Sequence, residues 1–241
     1  MTRKYFSYLL IIWASVSFSA CRGGDEDLPG GKNGVKLEEL IAFESVDPVA
    51  IPADNYSTTQ IKLKTPAFID PANKTITLTT SLGQFANGSQ STTVTVDSKG
   101  EGFAELLSGT KAGGAILTAS IKDYSANNKI LTFTEALPDE FLLTASKLVI
   151  DTTESVTFTV ELFRDKGKAS DNLKVQFSAS PADSLLVPQF AYTREQKASV
   201  QVTNPYGKKG DFVITATVPA GENKTLTKSL VLKIRAAAEE E

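Results

Sequence analysis

The chain has 241 residues, with 25 Lys and Arg against 28 Asp and Glu and a formal net charge of −3, so nothing in its composition invites nucleic acid. It has no histidine and a single cysteine, Cys21, which removes Cys/His zinc sites and Ser-His or Cys-His nucleophilic pairs from its chemistry. The usual catalytic outfit is missing, and the reading is of a non-enzyme with no cofactor.

Residues 1–20 have the three parts of a secretory signal: a basic start at Arg3 and Lys4, an apolar run from Tyr5 to Val16, and small residues before a cut site. The run is shorter than the ~20 residues a helix needs to cross a bilayer core, so a permanent span is not expected. The segment Phe18-Ser19-Ala20-Cys21 resembles the lipobox of bacterial lipoproteins, in which the signal is cut before a cysteine that then receives acyl chains. Phe18 stands where that pattern usually has leucine. The resemblance implies that Cys21 carries the lipid anchor, and a lone cysteine without a disulfide partner fits this; ordinary secretion is the alternative. Loss of Arg3 and Lys4 with the signal takes the net charge from −3 to −5.

Residues 21–35 are rich in glycine and hold the acidic triplet Asp25, Glu26 and Asp27. With almost nothing apolar to bury, they are expected to form a flexible tether. A triplet so close to the lipidated cysteine resembles the acidic surface-export tag of some Gram-negative lipoproteins, and the alternative is a solvated linker.

From Lys36 the pattern changes to period two. Gln60-Ile61-Lys62-Leu63-Lys64, Thr75-Ile76-Thr77-Leu78-Thr79, Thr93-Val94-Thr95-Val96-Asp97, Leu117 to Ile121 and Leu131-Thr132-Phe133 alternate polar and apolar residues, as half-buried strands do. Leu37 to Phe43 is expected to be an opening strand, and Asp70 to Asn73, Asn87-Gly88, Ser98 to Gly100 and Ala112 to Gly114 are expected to turn. Short strands separated by such turns predict a β-sandwich over residues 36–137. Leu137-Pro138-Asp139-Glu140 reads as a boundary. A second set of strands follows over residues 138–235, with Val156, Phe158, Val160 and Leu162 as the clearest alternation. The halves look like diverged copies, because Lys111-Ala112-Gly113 and Thr118 to Ile121 match Lys208-Lys209-Gly210 and Thr215 to Val218 at a constant offset of 97. That spacing suits one immunoglobulin-like module. The predicted fold class is therefore all-β, two tandem Ig-like sandwiches, with residues 236–241 as a polar tail.

Val96-Asp97-Ser98-Lys99-Gly100-Glu101-Gly102-Phe103-Ala104, then Ser108 to Ala119, together with the upstream Ile51-Pro52-Ala53-Asp54, resembles bacterial Ig-like domains of the invasin and intimin type. The resemblance covers Val46 to Glu135 well and Leu142 to Ile234 loosely, since the second copy has Tyr206-Gly207-Lys208 in place of the aspartate turn. It implies modules that serve as stalks, spacers or adhesive arms at the outer membrane.

Smaller motifs admit two readings. Asp151-Thr152-Thr153 and Asp183-Ser184-Leu185 resemble an O-glycosylation acceptor, which would place glycans on Thr152 and Ser184, or they are chance occurrences in a threonine-rich chain. Asp47, Asp54, Asp70 and Asp97 could supply calcium oxygens, but none has the spacing of a loop motif. The functional expectation is a lipid-anchored outer-membrane protein, exposed at the cell surface or alternatively on the periplasmic face, that binds a protein or glycan ligand, serving adhesion, spacing or envelope assembly. The alternative is a glycan-binding accessory lipoprotein of a polysaccharide-uptake system.

Overall fold

Threonines and β-branched aliphatics alternate along most of the chain, and that pattern suits an extended backbone with one buried and one wet face. The structure, a computed structural model, describes residues 40–236 apart from positions 68, 71, 72, 123, 127 and 222. Among the described residues every named element is a strand. No described helix is long and apolar enough to cross a membrane.

The first half forms two facing sheets. One has the order β1-β3-β7-β5, from Ala42–Asp47, Thr58–Lys64, Glu101–Leu107 and Gln84–Phe85. The other has the order β2-β10-β8-β4-β6, from Ala50–Pro52, Lys129–Thr134, Gly113–Ile121, Thr75–Thr80 and Ser91–Thr95, with the short β9 (Tyr124–Ser125) beside β8. All pairs are antiparallel except β2 with β10. Between the sheets Ile61, Leu63, Ile76, Leu78, Leu106, Leu117, Leu131 and Phe133 are fully buried.

The second half repeats the plan. Its sheets have the orders β11-β13-β16 (Glu140–Ala145, Val156–Phe163, Lys197–Val202) and β12-β18-β17-β14-β15 (Val149–Asp151, Lys224–Arg235, Gly210–Ala220, Lys174–Ser180, Phe190–Tyr192). Here too the only parallel pair among the described residues joins the short second strand to the last one, β12 to β18. Phe141, Phe158, Leu162, Leu173, Val175, Ile214 and Leu232 fill a core separate from the first. The period-two positions named from the sequence are thus the buried ones, and Phe158 lies at its centre with no exposure. Without a disulfide between the sheets, each core is held by apolar burial at ~25 cal/mol per Å². In place of the β5–β7 pairing, the second sandwich has a single bridge between Leu186 and Thr203.

Two local expectations change. Of the expected opening strand Leu37 to Phe43, residues 37–39 lie outside the described residues; Leu40 and Ile41 are not in a strand, and β1 runs over Ala42–Asp47, with Val46 paired to Ile61 and Phe43 to Leu63. Gly113 and Gly114 do not turn. They start β8, where Phe133 and Thr132 of β10 lie opposite, and the repeat partner Gly210 starts β17. Pro138, within the expected boundary, is buried.

Candidate functional site: the seam between the sandwiches

Ile51-Pro52-Ala53-Asp54 leaves β2 and folds back into β3, a tight path that puts Asn55 in the left-handed region at φ 54°. The Asp54 carboxylate closes it. Its Oδ1 accepts from the backbone N–H groups of Tyr56 (2.9 Å) and Ser57 (2.7 Å) and from Ser108 Oγ (3.0 Å), while Oδ2 accepts from Ser57 Oγ (2.8 Å). Burial pushes this carboxyl upward, but the hydrogen bonds from Ser57, Tyr56 and Ser108 outweigh burial and hold it below the usual aspartate range. The two stretches that carry the invasin-type resemblance therefore meet here, Asp54 from one and Ser108 from the other. Further bonds from Ser108 N to Ser57 O (2.9 Å) and from Asn55 N to Gly109 O (3.2 Å) lock the turns together.

Onto this end of the first sandwich lies residues 164–173, the connection between β13 and β14. Lys168 N donates to Asp54 O (2.7 Å), Asp171 N to Thr110 O (2.8 Å), and Thr110 Oγ1 to Asp171 Oδ2 (2.6 Å). Ser170 is the centre of the contact and has no exposure. Its Oγ donates to Ala53 O (2.9 Å) and accepts from Ala136 N (2.8 Å), and its own N–H donates to Ala136 O (2.9 Å). Thr193 ties this segment back to the second sandwich, donating to Ser170 O (2.9 Å) and accepting from Leu173 N (2.9 Å). Gly167, at φ 70°, lies so close that a Cβ would come within 2.6 Å of Asp54 O. The crossover between the sandwiches is also held, since Arg164 Nη1 donates to Leu137 O. Such a seam of buried, satisfied backbone groups resists bending, because any rotation leaves polar groups without partners.

The arrangement bonds the loops of one module to those of the next. All the donors around Asp54 come from the protein's own turns, Tyr56, Ser57 and Ser108. The other depressed carboxyls have equally local causes. The backbone N–H of Glu101, then that of Lys99, lowers Asp97 in its turn, and Thr153 lowers Asp151. Lys64 and Lys62 lower Glu101, and Lys147 lowers Glu154.

Of the residues singled out in the sequence, Cys21, Asp25, Glu26 and Asp27 lie outside the described residues. Thr152 is half-buried in the turn after β12, where Asp151 Oδ1 accepts from Thr153 N (2.7 Å), Thr153 Oγ1 (2.6 Å) and Glu154 N (3.0 Å). Ser184 is half-buried in the connection from β14 to β15, between Asp183 at φ 59° and the buried Leu185. By the strand directions both lie at the end of the second sandwich remote from the seam. Asp47, Asp54 and Asp97 occupy different places, and no group of three or more metal-ligating side chains gathers among the described residues. Sequence reading missed the partners Ser170 and Asp171. Their only signal was a polar Ser-Asp-Asn run in a loop.

No protein-family profile matches the sequence, and no curated protein matches it either. Solved structures do. The adhesin InvE of Yersinia pseudotuberculosis superposes with a TM-score of 0.57 at 17% identity, over 80% of this chain and 58% of that one. Invasin, described as a bacterial integrin-binding protein, gives 0.55 at 17% identity over 82% of this chain and 39% of that one. The chain thus spans less than two thirds of either. At such identities the likeness speaks for the fold: this chain has the tandem Ig-like sandwich fold of invasin-type bacterial adhesins.

Proposed function

We propose that this protein is a non-catalytic lipoprotein of the outer membrane, exposed at the cell surface, whose two Ig-like modules form a stiff arm for adhesion or spacing. The observation that carries this reading is the seam. A chain built only to tether would have a loose crossover, whereas here Ala53, Asp54, Thr110 and Ala136 of one module are hydrogen-bonded to Lys168, Ser170 and Asp171 of the next. Stiffness is useful to a protein that must hold a binding surface away from a membrane. In this reading residues 1–20 are removed, Cys21 carries the acyl chains, and two or more chains give stable anchoring where one is marginal. Residues 21–35 are the tether, with Asp25, Glu26 and Asp27 directing export. Residues 36–137 and 138–235 are the modules, residues 236–241 are the tail, and Thr152 and Ser184 are glycan acceptors at the outer end. The ligand is a protein, as invasin's integrin binding exemplifies, or a glycan.

The direct test is fractionation and protease treatment of whole cells. Cys21→Ser should release the protein from the membrane fraction, and replacing the acidic triplet by alanine should keep it membrane-bound but shield it from added protease. Retention of the Cys21→Ser variant in the membrane would remove the anchor. Unchanged protease access in the triplet variant would remove the export role.

The second reading, an accessory glycan-binding lipoprotein of a polysaccharide-uptake system, is favoured by exposed aromatic rings on the second module. Sugar faces stack on such rings.

A further inference from the structure

Two shallow grooves on the sandwich faces have the same plan, an exposed phenylalanine with a lysine ammonium over its ring, but their charge differs. On the first module Phe103, 54% exposed, lies under Lys62 at 5.7 Å from the ring centroid. That ammonium is already neutralised by Glu44 (3.1 Å) and Glu101 (3.4 Å), and Asp47 and Glu105 line the groove of about 480 Å³. On the second module Phe190, 47% exposed, lies under Lys174 at 4.6 Å. Lys174, Gln176, Ser178, Gln189, Phe190 and Thr217 line a groove of about 440 Å³ without any carboxylate. Lys174 has no acidic partner among the described residues.

The strands explain the placement. Gln176 of β14 stands opposite Phe190 of the edge strand β15 and Thr217 of β17, and Lys174 stands opposite Tyr192. Alternation turns Lys174, Gln176 and Ser178 outward together, and Lys174 reaches diagonally across to Phe190, a distance such long side chains span on a sheet face. Tyr192, 55% exposed, meets Phe190 edge to face with ring centroids 5.8 Å apart. The face therefore offers an aromatic ridge, an amide and hydroxyls able to donate and accept, and one unneutralised cation. Apolar C–H faces that stack on rings, several hydroxyls, and a negative charge are combined in one ligand class, an acidic saccharide.

We propose that the β14–β15 face of the second module binds a carboxylate-bearing saccharide, with a sugar ring against Phe190 and Tyr192, hydroxyls on Gln176, Ser178 and Gln189, and the carboxylate on Lys174. The site is independent of how the chain is anchored and of the stiffness of the seam. The groove on the first module, with Asp47 and Glu105 on its walls, repels the same ligand.

The test is titration of the ¹⁵N-labelled full chain, carrying Cys21→Ser, with oligogalacturonate, oligomannuronate and hyaluronan oligosaccharides, and with cello- and malto-oligosaccharides as neutral counterparts, read by NMR. At least one acidic member should shift the resonances of Lys174, Gln176, Ser178, Gln189 and Phe190 saturably. Lys174→Gln should weaken that binding about two- to fivefold, the size of a solvent-screened ion pair, and abolish the preference over neutral sugars. Phe190→Ala should weaken it about tenfold through loss of stacking. Phe103→Ala should leave it unchanged. Absence of shifts at these residues with every acidic member would overturn the proposal, as would saturable shifts that map elsewhere or parental affinity in Lys174→Gln.

Discussion

Ser170→Ala removes one oxygen from the middle of the seam. That oxygen satisfies Ala53 O and Ala136 N, which belong to residues with almost no exposure. A buried polar group left without its partner costs about 1–3 kcal/mol, and partial relaxation around two adjacent groups brings the sum to about 2–4 kcal/mol. The loss should be read by calorimetry of the intact chain carrying Cys21→Ser. The buried apolar residues fall into two separate clusters, so two transitions are expected, and energy stored in the seam is released when the less stable module melts. Ser170→Ala should therefore lower the first transition, by roughly 10 °C for a loss of about 2 kcal/mol in a module of this size, and leave the second in place. An effect below about 0.5 kcal/mol, the level of an ordinary surface change, would refute the claim that these bonds couple the modules.

Three further outcomes follow from the same geometry. Phe158→Ala should cost about 3–5 kcal/mol, the range for a fully buried ring, and calorimetry should show that loss in the second module's transition; equal lowering of both would mean one continuous core. Asp54→Asn should destabilise the chain at neutral pH. Because the folded carboxyl of Asp54 is depressed, its stabilisation is complete above the unfolded value of about 3.9 and is lost as pH falls through the folded value. The stability difference between parent and variant, measured by urea unfolding, should thus shrink below about pH 4, and a difference that grows on acidification would contradict the assignment. Gly100→Ala should destabilise the first module, since Gly100 has φ 76° and a Cβ there would come within 2.2 Å of Thr65 O; parental stability in thermal melts would show that the Asp97 turn is dispensable.

The cores were legible in the sequence because a strand's burial follows a period of two, and Ile61, Leu78 and Phe158 could be placed on an inner face without knowing what lay opposite. The duplication was legible for a related reason, since Gly113 and Gly210 begin equivalent strands in both copies. The reading of Gly113 and Gly114 as a turn failed because glycine content says only that the backbone is permissive, whereas β10 alongside supplied the hydrogen-bond partners of a strand. The seam was illegible. Ala53 and Ser170 are separated by 117 positions, and periodicity tells which way a side chain faces but not which loop will be brought against it. Pro138 shows the same limit: proline marks a change of direction, while its burial depends on contacts made elsewhere. Lys174 and Lys62 both sit on alternating strands, and only the fold reveals that Lys62 has acidic neighbours.

Stiffness of the pair of modules is the central claim, and residual dipolar couplings of the ¹⁵N-labelled whole chain with Cys21→Ser measure it without truncation. If the seam holds the modules as one body, couplings from residues 42–134 and from residues 140–235 should fit a single alignment tensor, and Gly167→Val, which forces a side chain against Asp54 O, should split them into two. Two tensors of different magnitude in the parent chain would contradict the account.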